Sequence, residues 1–294
     1  MTTIGILVNK GKPKARVVLR ELVRLLESRG AGVLIETDIA KEIGRQGLGV
    51  HLEQIPKRVD IVFVLGGDGT LLGVARQFAS YPIPILGFNL GHLGFLSEAE
   101  PDSLAMAVDR VLAGDYYIEE RIMLDAEVDR DGEVLEKSIA LNDVGIAKGS
   151  FSRMITGTIY MDGVYLGTYS GDGVIVSTPT GSTAYSLSCG GPIVWPGVQS
   201  LLLTPICPHT LTSRPMVLPS DCLLEIRVSA THRDIGLTID GQLGFRLKVD
   251  DVIRIRTSDS ITSLIKWKER SFFEVVRKKL QGEQEEGQGL EGRK

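Results

Sequence analysis

The chain has no surplus of basic charge. Its 33 Lys and Arg against 37 Asp and Glu leave a net charge of −4, which argues against nucleic-acid binding by phosphate neutralisation. Cysteine is scarce: Cys189, Cys207 and Cys222 are three, odd in number and widely spaced. They make neither a disulfide framework nor a zinc signature, and read as small buried hydrophobes in a reducing compartment. The histidines, His51, His92, His209 and His232, form no H-x-x-H or similar pair, so no dedicated protein ligands for a metal are expected. The opening apolar run, TIGILV, is short and follows no basic segment. Neither a signal peptide nor a membrane span is expected, and the protein reads as cytoplasmic. The glycine run GGDGT does not fit the dinucleotide fingerprint G-x-G-x-x-G, no G-x-x-x-x-G-K-[ST] occurs, and no repeat of fixed period is seen.

What is present is a soluble globular composition, 43% apolar and 24% charged, over 294 residues, long enough for two cores. Four short apolar runs, IGILV (Ile4–Val8), GVLIET, DIVFVL and PIPILGF, alternate with helical patterns. The first helix places Ala15, Val18, Leu19, Leu22, Leu25 and Leu26 on one face, with Gly30 as its C-terminal cap. Such alternation predicts a parallel sheet covered on both faces, with ligands beyond the carboxyl ends of its strands. After a helix ending near Gly114 the pattern changes to long alternating segments. They meet at Asp131-Gly132 and Asp162-Gly163, pairs suited to two-residue turns between antiparallel strands. A mostly antiparallel β region is therefore expected from about 118 to about 265. SFFEVVRKKLQ then reads as a helix whose apolar side needs a surface, and the tail GEQEEGQGLEGRK as disordered.

Two clusters carry chemistry. VFVLGGDGTLLG, Val62–Gly73, ends a strand in Gly66, Gly67 and Gly69 around the carboxylate Asp68. Capping of a helix beginning near Thr70 accounts for one aspartate but not for glycines on both sides. Bare backbone there suits close approach of a phosphate-bearing ligand. STPTGSTAYSLSCGGP, Ser177–Pro192, gathers seven hydroxyls, a tyrosine and three glycines in sixteen residues. Simply buried, many of these groups would lack partners. They suit a ligand with many acceptors, and Tyr185 offers a flat face to an aromatic base. The alternative is an ordinary Ser/Thr/Gly loop capping a helix that begins near Thr183. Asn142 and Asp143 in LNDVGIAKG, and Asp172 between two glycines, read by themselves as turn chemistry. GFNLGHLGFLSE repeats glycine and aromatics beyond the fourth strand, and its His92 reads as structural.

With these residues in view the chain resembles the NAD kinases, which phosphorylate NAD on the 2′-hydroxyl of its adenosine ribose using ATP. The resemblance rests on GGDGT at 66–70, NLGHLGFL at 89–96, ND at 142–143 and TPTGSTAYSLSCGGP at 178–192. GGDG alone is shared with 6-phosphofructokinases and lipid kinases, whereas TGSTAYSLS is specific to NAD kinases. The resemblance implies an α/β domain over 1–117 with a parallel sheet, binding nucleotide and phosphate, and a mostly antiparallel, NAD-binding β domain over 118–265. A C-terminal helix at 266–281 returns to the first domain, and a disordered tail occupies 282–294. It implies Asp68 as the base that takes the ribose proton, with Gly66, Gly67, Gly69 and Phe95 about the nucleotide. Asn142 and Asp143 would hold the adenosine portion, and Thr183, Ala184, Tyr185, Ser186, Leu187 and Ser188 would line the adenine. Asp172 would reach the nicotinamide half, and Arg153 and Gln242 would touch the dinucleotide. It further implies Mg²⁺ or another divalent cation arriving with ATP, and a homodimer or homotetramer. Ser170 stands where many relatives carry a basic residue, and Cys189 replaces a usual alanine. A lipid kinase would need a G-T-G-N-D segment, which is absent. A nucleotide sensor without turnover is the reading from another class, and the intact Asp68 argues against it.

Overall fold

The computed structural model describes residues 1–91, 94–149, 153–210 and 212–281; His92 and the tail expected to be disordered lie outside the described residues. The first half runs β1 (Thr3–Val8), α1 (Pro13–Ser28), β2 (Gly32–Glu36), α2 (Thr37–Glu42), β3 (Gly49–Val50), β4 (Ile61–Gly66), α3 (Asp68–Gln77), β5 (Ile85–Asn89) and α4 (Leu104–Ala113). The strands pair in parallel in the order β5-β4-β1-β2-β3. Ile61, Phe63 and Leu65 face α1 and α4, while Val62 and Val64 face α3. Burial on both sides of the pleat is why these strands read as unbroken apolar runs. Gly30 and Gly114, with φ of 73° and 72°, end α1 and α4 in the left-handed conformation that glycine adopts without strain.

β1 leads outward to β2 across α1, and β4 leads the opposite way to β5 across α3, which lies on the other face. The connections therefore diverge between β1 and β4. A doubly wound sheet opens its ligand crevice at such a point, beyond the strands' carboxyl ends. Here the crevice edges are Asn9, whose N–H donates to Leu65 O at 2.9 Å, and the glycine loop after β4.

The second half holds β6 (Tyr117–Arg130), β7 (Glu133–Ala140), β8 (Asp143–Lys148), β9 (Ile155–Met161), β10 (Val164–Gly171), β11 (Gly173–Ser177) and α5 (Tyr185–Ser188). There follow β12 (Ser200–Ile206), β13 (Met216–Pro219), β14 (Leu224–Ser229), β15 (Ile235–Ile239), β16 (Leu243–Leu247), β17 (Val252–Lys266) and α6 (Phe272–Gln281). An antiparallel six-stranded sheet, β13-β12-β11-β8-β15-β16, faces β6, β9, β14 and β17 across a core that includes Val144, Val174, Leu203, Ile159 and Ile255. The turns at Asp131-Gly132 and Asp162-Gly163 have positive φ at both residues, 55° and 86°, 52° and 79°, matching the twist of the strands they join.

The pattern of apolar residues does not reveal that both halves share one sheet. β17 pairs with β14 and β6 and then, at Leu264, in parallel with Ile85 of β5. One eleven-stranded sheet results, and Ile265 and Trp267 are buried in the first core. Phe272 and Phe273 of α6 pack on Trp195, with ring centroids 5.6 and 5.5 Å away. Among the described residues no helix is long and apolar enough to cross a membrane.

Candidate active site

Gly67 is the N-cap of α3, in an extended conformation with φ −143° and ψ −177°, and Asp68 is the first helical residue. Contrary to the capping alternative, α3 begins at Asp68 rather than near Thr70 and receives no side-chain cap. The carboxylate turns instead to the segment beyond β5. Its Oδ2 accepts the N–H groups of Phe95 (2.7 Å) and Leu96 (3.3 Å); its Oδ1 accepts the N–H of Ser97 (3.3 Å) and the Ser97 hydroxyl (2.9 Å). Gly94 makes this approach possible, since a methyl group there would overlap the carboxylate. Phe95 thus meets Asp68 through its backbone.

Across the β1–β4 crevice the Lys12 ammonium stands 3.7 Å from where a Gly67 side chain would begin. Asn9 Nδ2 donates to Thr70 Oγ1 at 2.9 Å, fixing the loop after β1 to α3. Asn9, Lys12, Gly67, Gly69, Thr70 and Gln242 line a cleft of about 520 Å³. Neither Lys12 nor Asn9 carries a motif that single-sequence reading could isolate.

The other wall is joined to this one by a buried charge. Asp240, fully buried at its side chain, accepts Arg76 Nη1 at 2.6 Å. It also accepts the backbone N–H groups of Leu141 (3.2 Å), Asn142 (2.7 Å) and Asp143 (3.1 Å). Arg76 Nη2 donates to Gln242 Oε1 at 2.6 Å, and Gln242 Nε2 donates to Gly69 O at 2.7 Å. Gln242 therefore bridges the glycine loop to the turn that orders Asn142 and Asp143. Sequence reading missed Arg76 and Asp240; the one signal was the Asp-Gly pair at 240–241, which reads as another hairpin turn. Asp143 is buried, and that burial, aided by the Asp240 charge, pushes its carboxyl up to about 7.

The hydroxyl-rich segment is held more from within than its composition suggests. Thr178 Oγ1 donates to Leu141 O at 2.6 Å, Arg121 donates to Thr180 Oγ1 at 3.2 Å, Val194 N–H donates to Ser182 Oγ at 3.0 Å, and Ser186 Oγ lies 2.8 Å from Thr204 Oγ1. The Ser186 hydroxyl thus ties the loop to β12. The helix expected near Thr183 is a 3₁₀ turn over Thr180–Thr183 followed by the single turn α5. Tyr185 and Ser188 are exposed, and Thr183, Ala184 and Leu187 are half-buried. Partial burial raises the Tyr185 phenol above its ordinary value, with Cys189 beside it. Asp172 faces Lys148 Nζ at 3.7 Å, and Arg153 is exposed, its carbonyl accepting from His232 Nε2 at 2.6 Å.

Two family models cover the chain: the ATP-NAD kinase N-terminal domain over residues 4–116 and the ATP-NAD kinase C-terminal domain over 141–267. The chain belongs to the NAD kinase family and is a kinase enzyme. It is 47% identical over 280 residues to an NAD kinase of Moorella thermoacetica, covering 95% of this chain and 89% of the relative. It is 45% identical to an NAD kinase of Geobacter metallireducens, covering 95% and 98%. The fold is similar to that of yeast NADH kinase complexed with NADH (TM-score 0.87, 26% identity, 99% of this chain and 90% of that one). It is also similar to an NAD kinase from Archaeoglobus fulgidus in complex with ATP (TM-score 0.75, 22% identity, 94% and 98%).

Proposed function

We propose that the chain transfers the γ-phosphoryl group of ATP to the 2′-hydroxyl of the adenosine ribose of NAD, giving NADP, with Asp68 as general base. The observation that carries this reading is the placement of Asp68: a fixed carboxylate beside bare glycine backbone, at the carboxyl end of β4 and one loop from the Lys12 ammonium. Phosphoryl transfer asks for alignment and charge neutralisation more than for covalent chemistry. The donor's phosphates enter the β1–β4 crevice under Lys12, and the divalent cation comes bound to ATP and offsets the repulsion from Asp68. Asn142, Asp143, Asp172, Arg153, Tyr185 and the backbone of 183–188 are assigned to the dinucleotide. The same reading carries a cytoplasmic homodimer or homotetramer.

The hydrogen bonds of Asp68 constrain how it acts as a base. Both oxygens already accept two donors, so the ribose hydroxyl takes the place of the weak 3.3 Å donor on Oδ2, Leu96 N–H. The short bonds from Phe95 N–H and Ser97 Oγ hold the carboxylate while it receives the proton.

Replacing Asp68 with Asn keeps the shape and removes the base. With ATP, Mg²⁺ and NAD, formation of NADP is expected to slow about 10²–10⁴-fold; undiminished turnover overturns the base. Nucleotide binding without any NADP from the unaltered protein would instead identify a sensor.

A further inference from the structure

The donors that hold Asp68 sit on one short segment, and that segment is gripped from behind by buried charge. Lys266, the last residue of β17, is 8% exposed. Its ammonium donates to Leu96 O at 3.3 Å and to Glu98 Oε2 at 3.0 Å. Glu98, 5% exposed, also accepts the Trp267 N–H on Oε1 at 3.1 Å, and its carbonyl accepts Arg270 Nη1 at 3.1 Å.

The Leu96 carbonyl and the Ser97 N–H belong to the same peptide unit. That unit is planar and trans, so its oxygen and its hydrogen point in opposite directions. Lys266 binds one end of it and Asp68 the other: ammonium to Leu96 O, then Ser97 N–H to Asp68 Oδ1 at 3.3 Å. A cation on the carbonyl also polarises the N–H toward the carboxylate, as hydrogen bonds in series do.

We propose that Lys266 is a positioning residue for phosphoryl transfer: by holding the Leu96–Ser97 peptide plane it aims the N–H groups that orient Asp68. This rests on the reading of Asp68 as the base. Stability alone does not account for the charge, because a buried ion pair can often be replaced by apolar residues of similar volume without loss. Nor does Lys266 touch substrate; it acts through one peptide. Loss of its ammonium leaves that plane free to tilt and leaves the base misaimed by a fraction of an ångström.

Lys266→Met alone leaves the buried Glu98 charge only the more distant Arg270 guanidinium, 3.9 Å away, and lowers stability whatever the mechanism, so the decisive protein is the full chain carrying both Lys266→Met and Glu98→Gln. Removing both charges restores much of the thermal midpoint. The inference expects kcat with saturating ATP and NAD to stay about tenfold or more below the unaltered enzyme, with KM for both substrates little changed. It also expects the Ser97 amide proton resonance to move upfield as its bond to Asp68 weakens. Lys266→Arg, which keeps a cationic donor on Leu96 O, is expected to retain more turnover than Lys266→Met. A double variant whose kcat recovers together with its melting temperature makes Lys266 merely structural and overturns the inference. The unaltered Asp68→Asn control separates the two claims. Full turnover in Asp68→Asn defeats the base and this inference together. A dead Asp68→Asn beside a fully active double variant defeats the inference alone.

Discussion

Asp143 and Lys12 show how much a single side chain's surroundings decide. Asp143 sits at the start of β8 with its carboxyl buried and Asp240 nearby, and its folded pKa is raised from 3.8 to about 7. A carboxyl raised on folding binds its proton more tightly in the folded chain. Its contribution to stability is complete below about pH 4 and is lost as pH climbs toward 7. Asp143→Asn removes that loss. Between pH 5 and pH 8 the unfolding free energy measured in urea should fall further in the unaltered protein than in the variant, by about a few kcal/mol. Equal shifts in both proteins would show that Asp143 does not titrate in this window. Lys12 lies in the crevice above Gly67 and among the described residues makes no ion pair. Lys12→Ala should raise the KM for ATP while leaving the KM for NAD and the melting temperature nearly unchanged. A rise in the KM for NAD alone would move this ammonium to the acceptor.

At the scale of elements, α3 and the β15–β16 turn behave as one unit. Arg76 binds Asp240 and Gln242, and Gln242 binds the carbonyl of Gly69, so the helix carrying Asp68 is fixed to the turn that orders Asn142 and Asp143. Arg76 and Asp240 are 10% and 0% exposed at their side chains. Arg76→Ala leaves a buried carboxylate without its cation, and the expected destabilisation is about 3–5 kcal/mol. Urea unfolding measures it; a loss no larger than that of a surface pair, about 0–1 kcal/mol, would refute the coupling. Much of the site was legible at this scale from the sequence. The glycine loop announces itself through Gly66, Gly67 and Gly69 beside an apolar strand. The 177–192 segment does so through its density of hydroxyls. The Arg76–Asp240 bridge was not legible, because its partners are 164 residues apart and neither belongs to a recognisable spacing. The bond from Ser186 to Thr204 was not legible for a related reason: composition counts hydroxyls but does not reveal which group stands opposite.

Taken as a whole molecule, the two halves are joined by a strand rather than a hinge. β17 lies in the antiparallel core at Ile253 and Ile255 and in the parallel core at Ile265. Shared strands favour one cooperative unfolding transition. Trp195 and Trp267 are the two tryptophans, so a Trp195→Phe variant reports Trp267 alone, in the first core. Its fluorescence midpoint in urea should coincide with the far-ultraviolet circular dichroism midpoint, to which the β-rich second half contributes. Separate midpoints would mean that the halves unfold independently.

The sequence by itself determined the local grammar: buried parallel strands from unbroken apolar runs, hairpins from Asp-Gly pairs, and the candidate base from a carboxylate among glycines. These follow from steric preferences and hydrophobic periodicity, which act over a few residues. Only the tertiary structure decided what surrounds that base. The peptides that hold Asp68, the lysine behind them and the buried arginine bridge come from segments far apart in the chain. Their meeting depends on strand order and on where buried charge finds a partner, and no short-range pattern encodes either.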